Sequence, residues 1–186
     1  LYELSNLNII LIGIYGIETK KLDRTTYAIN VLMELAISDW EKEIINRCAK
    51  NAFYKETQLF SMLTELIKTF AILQKNGISH RDVKPQNILC FGSKGYKISD
   101  FGEAKNTKKN LIDKKFKTNY VYQDNTMKQT LRGTELYMSP ILFQALRSHP
   151  YQCVKYNSYK SDVFSLGMCF FLASSLDYEG LYEVRL

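Results

Sequence analysis

Paired metal-ligating cysteines, a leader segment and a membrane-length apolar run are all missing from this chain of 186 residues. Its four cysteines, Cys48, Cys90, Cys153 and Cys169, stand far apart with no C-x-x-C pair, and it has only 2 histidines. Neither a zinc site nor a disulfide framework is therefore expected, and a reducing, intracellular setting fits best. The longest apolar stretch, Val163 to Ala173, falls short of the roughly 20 residues that cross a bilayer, and no stretch reads as a secretory leader. No membrane partner is expected. Acidic residues are outnumbered, 19 against 25 basic ones, giving a net charge of +6. That balance would suit a nucleic-acid partner, but 8 of the 25 basic residues fall between Lys105 and Arg132 in a loop-like stretch. No aromatic-basic recognition motif accompanies them, so a solvated loop is the better reading and no nucleic acid is expected. Internal repeats and low-complexity tracts are also absent. What remains is ordinary for one globular domain with a sizeable core: 46% hydrophobic and 24% charged residues. Both termini read as cut, since the chain opens inside an apolar pattern and stops soon after a buried-looking helix.

Apolar Asn8 to Tyr15 reads as a buried strand, Glu18 to Arg24 as a turn, and Tyr27 to Leu35 as a second strand pairing with the first. Asp39 to Arg47 suggests a short amphipathic helix. Thr57 to Asn76 is the clearest helix: Leu59, Leu63, Leu66, Ile67, Phe70 and Leu73 recur at helical spacing, and Asn76-Gly77 supplies the stop. Ile88 to Phe91 and Tyr96 to Ser99 flank Gly92-Ser93-Lys94-Gly95 as a hairpin. Asn106 to Arg132 is polar and unpatterned, a long mobile loop. Ile141 to Arg147 begins a helix, and Ser161 to Ala173 is apolar nearly all round, as befits a helix at the centre of a helical body.

The chemistry lies in His80-Arg81-Asp82-Val83-Lys84-Pro85-Gln86-Asn87, followed by Asp100-Phe101-Gly102. Phosphoryl transfer needs a carboxylate at the acceptor hydroxyl, oxygen ligands for a metal, and positive charge at the moving group. Asp82 sits on a loop after a helix, where it can reach substrate. Lys84 can neutralise the phosphoryl group. Asn87 and Asp100 offer a neutral and an anionic oxygen ligand, a set that suits Mg²⁺.

These motifs resemble those of serine/threonine protein kinase domains, over nearly the whole chain. The resemblance implies an α+β, protein-kinase-like fold: the last strands and hinge of a small β lobe at 1–36, a mainly helical large lobe at 37–186, and an activation segment at 100–140. It implies ATP and Mg²⁺ as cofactors, a protein carrying Ser or Thr as substrate, and an upstream activating kinase as a further partner. Asp82, Lys84, Asn87 and Asp100 take the catalytic places, with Asn87 and Asp100 on the metal. Lys84 is the residue serine/threonine kinases carry at this place. Met33 resembles the gatekeeper, Glu34 and Ala36 the backbone contacts to adenine, and Leu89 the floor beneath it, although any buried strand would have an apolar residue there. Gly133-Thr134-Glu135-Leu136-Tyr137-Met138-Ser139-Pro140 resembles the substrate-docking segment, and Thr134 is implied to hydrogen-bond Asp82 and Lys84. Arg81 is implied to pair with a phosphate on Thr130, with Thr126 the alternative site. Asp162 is implied to accept from the backbone around His80 and Arg81, and it also suits a helix N-terminus.

The chain departs from the family at several points. No G-x-G-x-x-G loop and no V-A-I-K-like lysine occur in it, and Lys20 and Lys21 fall in the expected turn. Leu4 to Ile10 resembles the passage into the fourth small-lobe strand. Ile141 stands where the family usually has a Glu that anchors the docking segment. Two functions stay open: an ATP-dependent serine/threonine kinase of which this is a part, and a kinase-like module that binds or scaffolds without transferring phosphate. Glu41, Glu43 and Glu56 suit a basic peptide and equally a solvated helix surface.

Overall fold

The computed structural model describes residues 11–106, 126–148 and 153–184. Leu4 to Ile10 and most of the loop expected at 106–132 lie outside them. Strands β1 (Ile14–Lys21) and β2 (Tyr27–Met33) form an antiparallel ribbon with Glu18 opposite Asn30. The pairing is the expected one, but the first strand lies further along the chain. Gly16 to Lys21 is polar because this ribbon buries little, so Lys20 and Lys21 sit in the strand and not in a turn. The turn is shorter: the Asp23 carboxylate accepts from the backbone N–H groups of Thr25 and Thr26, both at 2.8 Å.

A short strand, β3 (Ser38–Asp39), leads into α1 (Trp40–Ala49), which Asp39 caps by accepting from Lys42 N at 2.9 Å. Helix α2 (Glu56–Lys75) follows and ends at Asn76-Gly77, where Gly77 takes φ +76. Met62, Leu66, Phe70 and Leu73 are buried along it, whereas Ile67 faces outward at 48% exposure. The helical spacing therefore included one residue too many. Strands β4 (Ile78–Ser79), β5 (Ile88–Cys90) and β6 (Tyr96–Ile98) come next. The β5–β6 hairpin pairs Ile88 with Ile98 across the expected turn, and β3 pairs with β5 on its other side. Strand β7 (Lys105–Asn106) returns to pair with β4.

Two strands inside or beyond the expected loop are too short to carry a sustained apolar alternation. Strand β8 (Thr126–Thr130) pairs with β9 (Cys153–Asn157), Thr130 opposite Cys153. Helix α3 (Pro140–Ser148) lies between them. Helix α4 (Ser158–Ser175) is the buried centre. Asn157 caps it, and Leu166, Cys169, Leu172 and Ala173 are at most 1% exposed. A last helix, α5 (Tyr178–Glu183), was not foreseen from the sequence.

One cluster unites Trp40 and Ile44 of α1, Leu66 and Leu73 of α2, Ile88 and Ile98 of the hairpin, and Leu166 and Leu172 of α4. Truncating a fully buried leucine here costs about 2–5 kcal/mol. A polar knot fastens α1 to the hairpin: Glu43 accepts from Tyr96 Oη at 2.7 Å, from Arg47 Nε at 3.1 Å and from Cys90 Sγ at 3.4 Å. All four cysteines are free thiols. Among the described residues no cluster of three metal-ligating side chains forms, and no helix is long and apolar enough to cross a membrane.

Candidate active site

The loop 80–87 runs from β4 to β5, and α4 sets its shape. Asp162, 3% exposed in the first turns of α4, accepts from His80 N at 2.7 Å and from Arg81 N at 2.8 Å. Those bonds hold Arg81 at φ +73, a conformation a side-chain-bearing residue rarely adopts. Burial pushes the Asp162 carboxyl up to about 7, against the two N–H groups that favour its charge. His80 is fully buried. Its Nδ1 accepts from Asp82 N at 3.3 Å, so Nε2 carries the proton and donates to Ser99 O at 2.9 Å. Burial pulls the imidazole pKa down, and the ring lies 4.8 Å from that of Phe101. One neutral histidine thus joins the loop to the segment carrying Asp100.

Three side chains converge at Asp82. Thr134 Oγ1 donates to Asp82 Oδ1 at 2.8 Å, and Lys84 Nζ lies 2.8 Å from Oδ2 and 2.9 Å from Thr134 Oγ1. Burial opposes charge on Asp82, but the Lys84 ammonium and the Thr134 hydroxyl outweigh it and hold the carboxyl below its ordinary value. Asn87, 6% exposed, turns its amide nitrogen onto Asp82 O at 2.8 Å and Oδ2 at 3.3 Å. That orientation gives its Oδ1 the acceptor end a metal needs. Asn87 O accepts from Ser99 N at 2.9 Å and Ser99 Oγ at 3.1 Å, which draws Asp100 alongside. Asp100 takes φ +56, is exposed, and accepts from Gly102 N at 3.2 Å. A neutral amide oxygen and an exposed carboxylate are a donor set that fits Mg²⁺ with phosphate oxygens completing its shell.

The docking segment is fastened to α4. Ser165 Oγ donates to Tyr137 O at 2.7 Å, and Ser161 Oγ to Ser139 Oγ at 2.9 Å. Ile141 is 47% exposed at the start of α3, so these serine bonds supply an anchor where the family's glutamate is replaced. Gly133 takes φ +116, and a Cβ there would meet Arg81 O at 3.0 Å. Only glycine lets the two segments approach so closely. Arg81 Nη2 donates to Thr130 O at 2.8 Å and to its Oγ1 at 3.0 Å.

On the hinge side, Met33 ends β2 at 46% exposure and Ala36 is half-buried. Glu34 N donates to Gly13 O at 2.8 Å, while its carboxylate accepts from Gly13 N at 3.3 Å and meets Lys97 Nζ at 2.6 Å. The Lys97 ammonium holds Glu34 below its ordinary carboxyl pKa, against burial. This ion pair joins the hinge to β6, three residues before Asp100. Nothing in the sequence foretold it, because Glu34 and Lys97 are 63 residues apart. Leu89, half-buried in β5, pairs with Lys97. Glu43 is consumed by the polar knot and Glu56 opens α2. Of the three candidate glutamates, Glu41 alone lines a cleft beside Thr134.

A ribbon joined through a hinge to a helical body, with one loop bearing Asp82 tied through Ser99 to a second bearing Asp100, defines the protein kinase class. A family model described as "Protein kinase domain" matches residues 8–176, and the chain belongs to that family. It is 32% identical over 143 residues to "Calcium-dependent protein kinase 6" of Plasmodium berghei (strain Anka), covering 74% of this chain and 8% of that protein. It is 33% identical over 121 residues to "Dual specificity protein kinase zak2" of Dictyostelium discoideum, covering 63% and 16%. It is also 33% identical over 122 residues to "Serine/threonine-protein kinase Nek9" of Mus musculus, covering 66% and 10%. The matched region is thus a small part of each relative's length. Use of ATP, usually with Mg²⁺, is characteristic of that family.

Proposed function

We propose that this chain carries the phosphoryl-transfer site of an intracellular serine/threonine protein kinase. The triangle of Asp82, Lys84 and Thr134 carries the reading, because it presents an ionised carboxylate beside a fixed ammonium. Asp82 orients the acceptor hydroxyl and takes its proton. Lys84 neutralises charge at the moving phosphoryl group. Asn87 Oδ1 and Asp100 hold Mg²⁺, which when bound offsets the charge of the ATP phosphates. The backbone of Glu34 and Ala36 meets the adenine edge, Met33 guards the space behind it, and Leu89 lies beneath.

Lys84 favours Ser or Thr as acceptor. Among the relatives, Nek9 bears the serine/threonine description and zak2 the dual-specificity one. Thr130 is the proposed target of an upstream kinase, since Arg81 already donates to its hydroxyl and a phosphate there would gain charge-assisted bonds. Phosphopeptide mapping of active protein that finds Thr130 unmodified would count against this.

Transfer of labelled phosphate from Mg-ATP to a basic protein substrate tests the central reading. The expected result is transfer that falls by about 10²–10⁴-fold in Asp82→Asn, the usual range for losing a general base. A folded chain that binds protein but shows neither transfer nor a thermal shift with Mg-ATP would instead be the kinase-like binding module.

A further inference from the structure

Strand β8 leads into the docking segment, and β9 leads from α3 into α4. The two pair from Thr126 opposite Asn157 to Thr130 opposite Cys153. We propose that this ribbon is a built-in latch. It holds the docking segment against the catalytic loop by main-chain bonds, so that a phosphate on Thr130 reinforces an arrangement the fold already makes. The proposal rests on the kinase reading and concerns the regulation of that same site.

The ribbon closes a module with a core of its own. The docking segment and α3 lie between its two strands. Met138, Leu142 and Tyr156, each at most 4% exposed, pack there with Leu131, Phe143 and Val154. Separating the strands would expose that apolar surface to water. Gln129 is buried in β8, its amide nitrogen 3.5 Å from Tyr156 O. Strand β9 ends at Asn157, which caps α4 by accepting from Tyr159 N and Lys160 N, both at 3.1 Å. The latch is thereby mounted on the helix that carries Asp162.

The far end of β8 meets the catalytic loop. Arg81 Nη2 donates to Thr130 O at 2.8 Å as well as to its Oγ1 at 3.0 Å. The first acceptor is a main-chain carbonyl, which phosphorylation neither creates nor removes. Gly133 lies so near the loop that a Cβ on it would meet Arg81 O at 3.0 Å. The next residue is Thr134, whose hydroxyl donates to Asp82 at 2.8 Å. From β9, Tyr156 stands close to the same arginine: burial raises the pKa of its hydroxyl and the Arg81 charge works against that rise.

Paired strands thus supply, through backbone hydrogen bonds, the order that a phosphate creates through charge-assisted ones. The two sources differ in kind. Salt screens the attraction between a phosphate and Arg81, and a phosphatase removes it, whereas neither acts on a main-chain ladder. With the ladder closed, a phosphate on Thr130 adds bonds to Arg81 without having to order the segment first. Its effect on turnover is therefore small.

The test compares the phosphatase-treated whole chain with the same chain carrying phosphothreonine installed at Thr130. Amide hydrogen exchange of β8 and the docking segment is one readout, and phosphate transfer is the other. The treated chain and Thr130→Ala should exchange slowly there, and their transfer should stay within about threefold of the phosphorylated form. Val154→Pro and Lys155→Pro are made separately, because consecutive strand residues direct their N–H groups alternately and one of the two removes a ladder donor. That variant and Tyr156→Ala should speed the exchange and cut transfer about tenfold or more through misplacement of Thr134. Tyr156→Phe, which keeps the packed ring, should restore most of both, with melting curves confirming the fold. Exchange that slows only when Thr130 is phosphorylated, transfer lost on phosphatase treatment, or a broken ladder that moves neither readout overturns the proposal. Exchange in the treated wild-type chain decides the matter even where a variant fails to fold. Slow exchange without transfer in any form supports the latch and sinks the kinase reading. Transfer from a treated chain whose segment exchanges fast does the reverse.

Discussion

Leu66, Leu73, Leu166 and Leu172 are at most 1% exposed in the helical body, whereas Tyr15, Ile17, Ile29 and Leu32 of the β1–β2 ribbon are 61–66% exposed. The body is held by a shared core, by Asp162 and by the Glu43 knot. The ribbon is held by discrete tethers: Ile12 N to Ile98 O, Glu34 to Gly13, and the Glu34–Lys97 ion pair, with Ile37 N to Cys90 O fixing the hinge below it. The difference divides the labour of the proposed reaction. Asp82, Lys84, Asn87 and Asp100 stand on loops tied to the helical body by Asp162, His80 and Ser99, and the hinge proposed to meet adenine hangs on few contacts. Substitutions in the body should therefore be read in stability and turnover, and those near the ribbon in nucleotide affinity.

The sharpest break is Asp162→Ala, which leaves two buried N–H groups unpaired and frees the strained Arg81. Urea unfolding should show a loss of about 3–5 kcal/mol. Thr134→Val comes next. It removes the hydroxyl between Asp82 and Lys84, and about 1.5–3 kcal/mol for charge-assisted bonds corresponds to a tenfold or greater fall in kcat/KM. Thr134→Ser should restore most of it. Smaller still are Glu34→Gln and Lys97→Met, whose ion pair is partly buried. Each should weaken Mg-ATP binding by about two- to fivefold, and the double variant should be no worse than either single one. Additive losses would show that the two residues act apart. Ile29→Thr, on the open face of β2, should change stability by less than about 0.5 kcal/mol. A large loss there would erase the contrast between ribbon and body.

What was legible in the sequence follows the same division. Helices α2 and α4 announce themselves because burial imposes a periodic or all-round apolar pattern with clear stops. The loops bearing Asp82 and Asp100 are legible because their spacing is chemical. Ribbon strand β1 was misplaced because an exposed strand needs no alternation. Strands β8 and β9 were missed for a related reason: Thr126-Met127-Lys128-Gln129-Thr130 is mostly polar, and its partner buries only Tyr156, between exposed Lys155 and half-buried Asn157. The Thr134 and Asp162 hydrogen bonds could be expected only through the family resemblance, since they span 52 and 82 residues. The role of Glu41 at the cleft was ambiguous in sequence because only tertiary packing separates it from Glu43, two positions on.

Ser161, Asp162 and Ser165 occupy little more than one turn of α4, yet they fix the docking segment and the catalytic loop alike. Both segments are thus referenced to one short datum. A shift of that turn carries them in common mode, so their mutual spacing tolerates breathing of the surrounding helices. Registration between the proposed base and its substrate is guarded by shared mounting, as two lenses stay aligned on a single rail even when the bench moves.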